Sequence, residues 1–389
     1  MQLIINSKNN LFLLGKISFI CLIFFFGFFT NLYMNSENGY SELLNPFVDS
    51  GKIISKPLQS YSILNLQNRE YQSSKIILEN IISEEETYTS FQFAYTTLGK
   101  RMTGQINIPD NITANPEQKR NVIIMIRGFV PSEIYSTGVG TKNAAAVFAN
   151  DGYITIAPDF FGYGDSDPEP KDTWQTRFEK PITVIELIKS LEENGIPLNL
   201  ESQRTNTKLD LDVTKVSNIG IWAHSNGGQI ALATLEILQK PIPTSLWAPV
   251  TAPFPYSILY FSDELEDEGK EQRRWISLFE ENYDVFDFSI TKHLESLTGP
   301  IQIQHGDNDD AALIFWSQEF VAKIDLENQN REMLMDKEKS ASASAIEHVS
   351  PLPPVEIDLI TYPNTNHNMV PSWDKAVKKD LQFFDNWMK

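Results

Sequence analysis

Three short segments of this 389-residue chain carry residue types that could perform nucleophilic chemistry. The sharpest runs from Ile219 to Gly228 and reads IGIWAHSNGG. It places Ser225 between an apolar run that reads as a strand and a run with helical spacing. A serine on such a tight turn projects its hydroxyl above the sheet edge, at the start of the helix. Small residues must flank it so that strand and helix can approach, and Ala223 and Gly227 meet that need. The G-x-S-x-G pattern has alanine at its first glycine here, and Gly228 doubles the last.

A serine hydroxyl is a weak nucleophile until a base takes its proton. The chain has five histidines. His224 neighbours the serine and points elsewhere in such a turn. His293 lies in an acidic, aromatic segment, His305 begins a turn after a strand, and His348 sits in a low-complexity stretch. His367, in YPNTNHNM, follows the last apolar strand and precedes the last helix, and it is the best base. The acid should lie between serine and histidine in the chain. HGDNDDAA supplies Asp307, Asp309 and Asp310; Asp309 is preferred, with Asp307 second. An oxyanion needs backbone donors in place before reaction. Asn226, just after the serine, offers one N–H. Phe129, after the turn at Arg127 and Gly128, offers the other.

Each segment alone has an ordinary reading: a strand–helix turn, an acidic turn, a histidine capping a helix. Their order, each after an apolar strand, argues for one site.

The elements that must position these groups alternate. SFQFAYTT and MTGQINIP, joined at Gly99, read as a hairpin. NVIIMIR, YITIAP, VSNIGIWA, PTSLWAPV, PIQIQH and VEIDLITYP read as buried strands. Helical patterns fall between them, at 141–149, 181–193, 226–239, 312–324 and 372–388. The expected fold is α/β, with a mostly parallel sheet, an antiparallel opening hairpin and helices on both faces. Residues 252–298 are placed to form a short lid insertion. Residues 328–354 read as a low-complexity mobile loop, and 35–89 as a polar extension outside the catalytic domain at 90–389.

The formal net charge of −19 repels nucleic-acid phosphates, so no nucleic-acid partner is expected. The single cysteine, Cys21, excludes disulfides, and no His/Cys/Asp/Glu set has metal-ligand spacing. No cofactor is expected. Residues 1–34 include the apolar run LFLLGKISFICLIFFFGFFTNLYM, with Lys8 and Lys16 before its densest part. It reads as an uncleaved membrane anchor with the remaining chain exported; a cleaved secretory signal is the alternative.

From about Ser90 onward the chain resembles the α/β-hydrolase superfamily, and most closely the prolyl-oligopeptidase-like (S9-type) catalytic domain. The likeness rests on INIP, RGF at 127–129, APDFFGYGDSD, AHSNGG, SLWAPVTA, HGDNDDAA and NHN around His367. It implies a serine hydrolase acting through an acyl-enzyme on a peptide or small-molecule substrate, and first of all an S9-like peptidase. The family's HGxxDxxV motif places the acid at Asp309, with Ala312 in place of valine. Two departures stand out. Arg127 replaces the histidine that usually opens the oxyanion loop, and too few residues precede Ser90 for a substrate-screening propeller. A carboxylesterase of the same fold is the alternative activity. A catalytically silent, membrane-tethered binding scaffold is the alternative from another class.

Overall fold

The computed structural model describes residues 55–110, 120–197, 214–262, 265–340 and 351–389. The N-terminal apolar run lies outside them. Among the described residues no helix is long and apolar enough to cross a membrane.

Nine strands form one sheet in the order β1-β2-β3-β5-β4-β6-β7-β8-β9. They are β1 (Ile77–Glu84), β2 (Tyr88–Thr97), β3 (Lys100–Pro109), β4 (Arg120–Ile126), β5 (Ile154–Pro158), β6 (Val216–His224), β7 (Thr244–Trp247), β8 (Ile301–Gly306) and β9 (Ile357–Tyr362). The first three run antiparallel to their neighbours, and β4 to β9 are parallel. Alternation along β4 shows how sequence builds two layers. Val122, Ile124 and Ile126 face one core, and Ile123 and Met125 face the other. Helix α2 (Lys142–Asn150) covers the second face, while α3 (Thr173–Asn194) and α4 (Asn226–Leu238) cover the first. The short α1 (Ile63–Gln67) packs Ile63 and Leu66 near α3 and α4.

Between β7 and β8 the chain forms α5 (Tyr256–Leu259), α6 (Lys270–Asn282) and two short 3₁₀ turns. Phe254, Phe279 and Phe288 from this insertion join Trp174 and Phe178 of α3 in one aromatic cluster. Such ring pairs add about 0.5–1.5 kcal/mol each beyond simple burial. The exit of the insertion is tied from α7 (Ile314–Ser340). Buried Arg331 donates to the carbonyls of Leu294 (2.6 Å), Leu297 (3.0 Å) and Pro353 (2.6 Å). Helix α8 (Trp373–Met388) closes the second face.

Three sequence expectations change. Residues 35–89 are not wholly an extension, because β1 pairs with β2 along the sheet edge and Leu58, Ile63 and Leu66 are core. The strand was hidden because both its faces are largely exposed, so it lacks alternation. The loop expected at 328–354 begins as helix: α7 continues to Ser340, through a run of good helix formers that Arg331 anchors. Residues 341–350 lie outside the described set. Helix α3 starts at Thr173 rather than near Pro181, capped by Asp172, whose carboxylate accepts from the Trp174 and Gln175 N–H groups.

Under the sheet, Asp380 of α8 is fully buried. It accepts from Ser245 Oγ (2.5 Å), Gln304 Nε2 (2.5 Å), Gln302 Nε2 (3.2 Å) and Trp222 Nε1 (3.2 Å). Removing it strands donors from β6, β7 and β8 at once. Asp380→Ala should cost about 2–5 kcal/mol, since each buried donor left without an acceptor costs about 1–3 kcal/mol and some will find other partners. Urea unfolding would measure it, and a cost below about 1 kcal/mol would show that these donors find other partners.

Candidate active site

The strand order sets the location. From β4 the chain crosses to β5 on one side and later returns to β6 on the other. A crevice forms where a parallel sheet reverses its winding in this way, outside the carboxyl ends of the strands. The β4 end carries Arg127, Gly128 and Phe129, and the β6 end carries Ser225.

Ser225 has φ +58° and ψ −125°, a strained conformation for a side chain with a Cβ. Its N–H donates to Trp247 O (2.9 Å), and its carbonyl accepts from Gly228 N (2.9 Å) and Val250 N (3.1 Å). The turn is thus held by both neighbouring elements. A Cβ on Gly227 would stand 2.4 Å from Ile126 O and 2.6 Å from Arg127 O, so only glycine lets α4 meet β4. Gly128 abuts the serine itself: a Cβ there would lie 2.9 Å from Ser225 Cβ and 3.4 Å from its Oγ. Gly228 packs on Pro249. Among the described residues no acceptor takes the N–H of Phe129 or Asn226. Phe129 is 75% exposed, so its ring is free of the core.

His367 Nδ1 donates to Asp309 Oδ2 at 2.8 Å, which leaves Nε2 as the basic nitrogen. Asp309 Oδ1 accepts from the N–H groups of Ala311 and Ala312, both at 2.9 Å. His305 Nε2 approaches Oδ2 at 3.2 Å and also donates to Ala312 O (2.8 Å), while its Nδ1 accepts from Ser317 Oγ (2.9 Å). Burial pushes the Asp309 carboxyl up. The bonds from His305, His367 and Ala312 N–H outweigh that and hold it well below the usual carboxylate range. Asp307 and Asp310 are exposed and do not meet His367.

Sequence reasoning missed two supports. His224 was expected to point away, yet its ring centroid lies 4.7 Å from that of His367, and its Nε2 donates to His367 O at 2.9 Å. Burial, with the neighbouring His367 charge, pulls His224 down to about 4, so it stays neutral near pH 7. Arg127 is also buried. Its guanidinium lies over Tyr163 (4.1 Å) and Tyr135 (4.6 Å) and donates to Gly128 O (3.0 Å) and Asp159 O (2.9 Å). It braces the loop that presents the Phe129 amide. Both supports depend on contacts distant in sequence, which no local pattern reveals. His293 lies in the insertion, bonded to Phe286 O; His348 lies outside the described residues.

A cavity of about 650 Å³ bounded by Val216, Pro243, Pro300 and Glu356 sits where strands begin and so on the wrong edge for Ser225. Among the described residues no group of three or more His, Cys, Asp or Glu could hold a metal.

No family model matches the chain, and no curated protein sequence matches it. Solved structures do. An acetyl xylan esterase from Paenibacillus sp. R4 aligns with a TM-score of 0.52 at 14% identity, over 84% of this chain and 98% of that one. Acetyl xylan esterase 1 from Thermoanaerobacterium sp. JW/SL YS485 aligns with 0.51 at 11%, over 86% and 94%. Dipeptidyl peptidase 4 from Porphyromonas gingivalis aligns with 0.47 at 15%, over 81% of this chain and 36% of that one. The first two, with the strand order above, establish that this chain has the α/β-hydrolase fold.

Two outcomes follow from this geometry. Gly227→Ala should destabilise the protein by about 1–3 kcal/mol in urea unfolding, because its new Cβ meets backbone that cannot swing aside. Asp309 binds its proton less tightly folded than unfolded, where its pKa is about 3.9. It therefore contributes stability above that pH, lost as pH falls through the lower folded value. Stability of Asp309→Asn should fall less steeply than wild type below about pH 4. Superimposable acid-unfolding curves would contradict the buried carboxylate.

Proposed function

We propose that this protein is a serine hydrolase that cleaves carboxylic esters or amides through an acyl-enzyme on Ser225. The observation that carries the reading is the 2.8 Å Asp309–His367 hydrogen bond, joined to the strained serine turn through His224, whose ring donates to His367 O. His367 Nε2 takes the Ser225 hydroxyl proton as Oγ bonds to the substrate carbonyl carbon. The N–H groups of Asn226 and Phe129 receive the developing oxyanion. His367 returns the proton to the leaving oxygen or nitrogen as the carbonyl re-forms. Water, deprotonated by the same nitrogen, then releases the acid and restores the serine. Asp309 remains ionised throughout; it orients the ring and stabilises its charged form.

Ester hydrolysis is the leading form. The space adjoining Asn226 is narrow, about 50 Å³, which suits a small acyl group better than a peptide side chain and backbone. A peptidase of the S9 type is the second reading, supported by AHSNGG and HGDNDDAA. The N-terminal apolar run supports a membrane-anchored, extracytoplasmic placement.

The test is turnover of 4-nitrophenyl acyl esters and aminoacyl anilides side by side. Ser225→Ala should abolish activity, and Asp309→Asn should lower kcat by about 10³–10⁴-fold, the effect of a mis-set imidazole tautomer. Anilide cleavage lost in Ser225→Ala would establish the peptidase. Absence of Ser225-dependent turnover, together with failure of a fluorophosphonate to label the folded protein, would replace both readings with a silent scaffold.

A further inference from the structure

Two cations near the head of α4 form no ion pair among the described residues. Arg177 and Lys180 lie three residues apart on α3, the spacing that puts side chains on one helix face. With Asn226 and Gln229 of α4 they line the narrow cavity next to the serine turn, against Phe178 and Phe288. Arg177 donates to the neutral amide of Gln229, and its guanidinium lies 5.6 Å from the Phe254 ring centre. Lys180 Nζ is 5.9 Å from the Phe160 ring centre, and the same ring lies 5.7 Å from the Arg127 guanidinium. Three cations therefore gather round the carboxyl ends of β4 and β5.

Among the described residues neither Arg177 nor Lys180 forms an ion pair. The chain does not lack carboxylates: 51 Asp and Glu stand against 32 Lys and Arg. Arg101, Lys189 and Lys240 on the same molecule find them. Both are partly buried, and a cation drawn out of water without a counter-charge is costly. Burial pulls Arg177 down to about 10 and Lys180 to about 8; the charges of Arg177 and Arg127 lower Lys180 further, and Glu169 opposes them only in part. An entering anion would relieve this, and the open N–H groups at the start of α4 favour the same sign.

We propose that Arg177 and Lys180 form an anion subsite beside Ser225, selecting acyl substrates that carry a carboxylate a few bonds from the scissile carbonyl. The selection of substrates rests on the hydrolase reading; the binding of the anion does not. The cavity is small, about 50 Å³, which favours a short chain ending in a carboxylate, and its wall of Phe178, Phe288 and Ile290 suits the methylenes.

The test has two arms on the full chain. Calorimetric titration with glutarate reads binding without turnover. Glutarate should bind wild type, and Arg177→Gln or Lys180→Gln should weaken it about tenfold or more, as expected for a lost charge-assisted hydrogen bond. The second arm compares kcat/KM for 4-nitrophenyl hemiglutarate with that for 4-nitrophenyl butyrate. Wild type should prefer the hemiglutarate, each Gln variant should lower that ratio about tenfold, and Lys180→Arg should restore most of it. No glutarate binding at millimolar concentration, or binding indifferent to both substitutions, overturns the subsite. Glutarate displaced by inorganic phosphate, with no preference for hemiglutarate, overturns its role in selecting substrates. Arg177-dependent glutarate binding without Ser225-dependent turnover of any ester or anilide, and without fluorophosphonate labelling, would keep the anion site and overturn the hydrolase reading instead.

Discussion

The site depends on one buried negative charge. Taking a carboxylate out of water costs several kcal/mol unless its lone pairs are filled. Asp309 fills them with the Ala311 and Ala312 amides, His305 and His367. Each requirement propagates. The amides fix the turn after β8, His305 must lie flat in that strand, and Ser317 of α7 must hold its far nitrogen. The His367 loop must close over the same turn, which it does through Asp307 N–H to Tyr362 O (3.0 Å) and Asn308 N–H to Thr365 O (3.1 Å). His224 then seats the His367 carbonyl from beneath. The imidazole is thus placed by the needs of its partner as much as by its own.

The opposite wall answers a different constraint. The charge of Arg127 must be accommodated inside. Two tyrosine faces and two carbonyls do so, and Asp159 is drawn in through Tyr135 Oη at 2.6 Å. Burial pushes the Asp159 carboxyl up, against hydrogen bonds from Thr103, Tyr135 and Thr137. The guanidinium is therefore held by a local network around the loop, and among the described residues no acceptor takes the backbone amide of Phe129.

What the sequence made legible was whatever repeats locally. Six apolar runs gave six parallel strands, and the spacing of AHSNGG marked a strained serine between strand and helix. The edge strand β1 escaped notice because Ile77, Ile81 and Ile82 lie exposed along it and no alternation survives. Helix α7 was cut short because the polar residues beyond Leu326 resemble a linker, and only Arg331, reaching three distant carbonyls, shows that they are held. His224 and His305 illustrate the same limit inside the site. Their neighbours in sequence say little; their neighbours in space come from β9, α7 and the loops between.

The segment between β7 and β8 looked like a flap from its composition and place. Its packing makes it masonry. Its front is mortared to α3 by interlocked rings, and its rear is pinned by Arg331. For this wall to open, the rings shared with α3 would have to part and the Leu294 and Leu297 carbonyls would have to leave Arg331. The crevice is therefore bordered on this side by contacts that must break together.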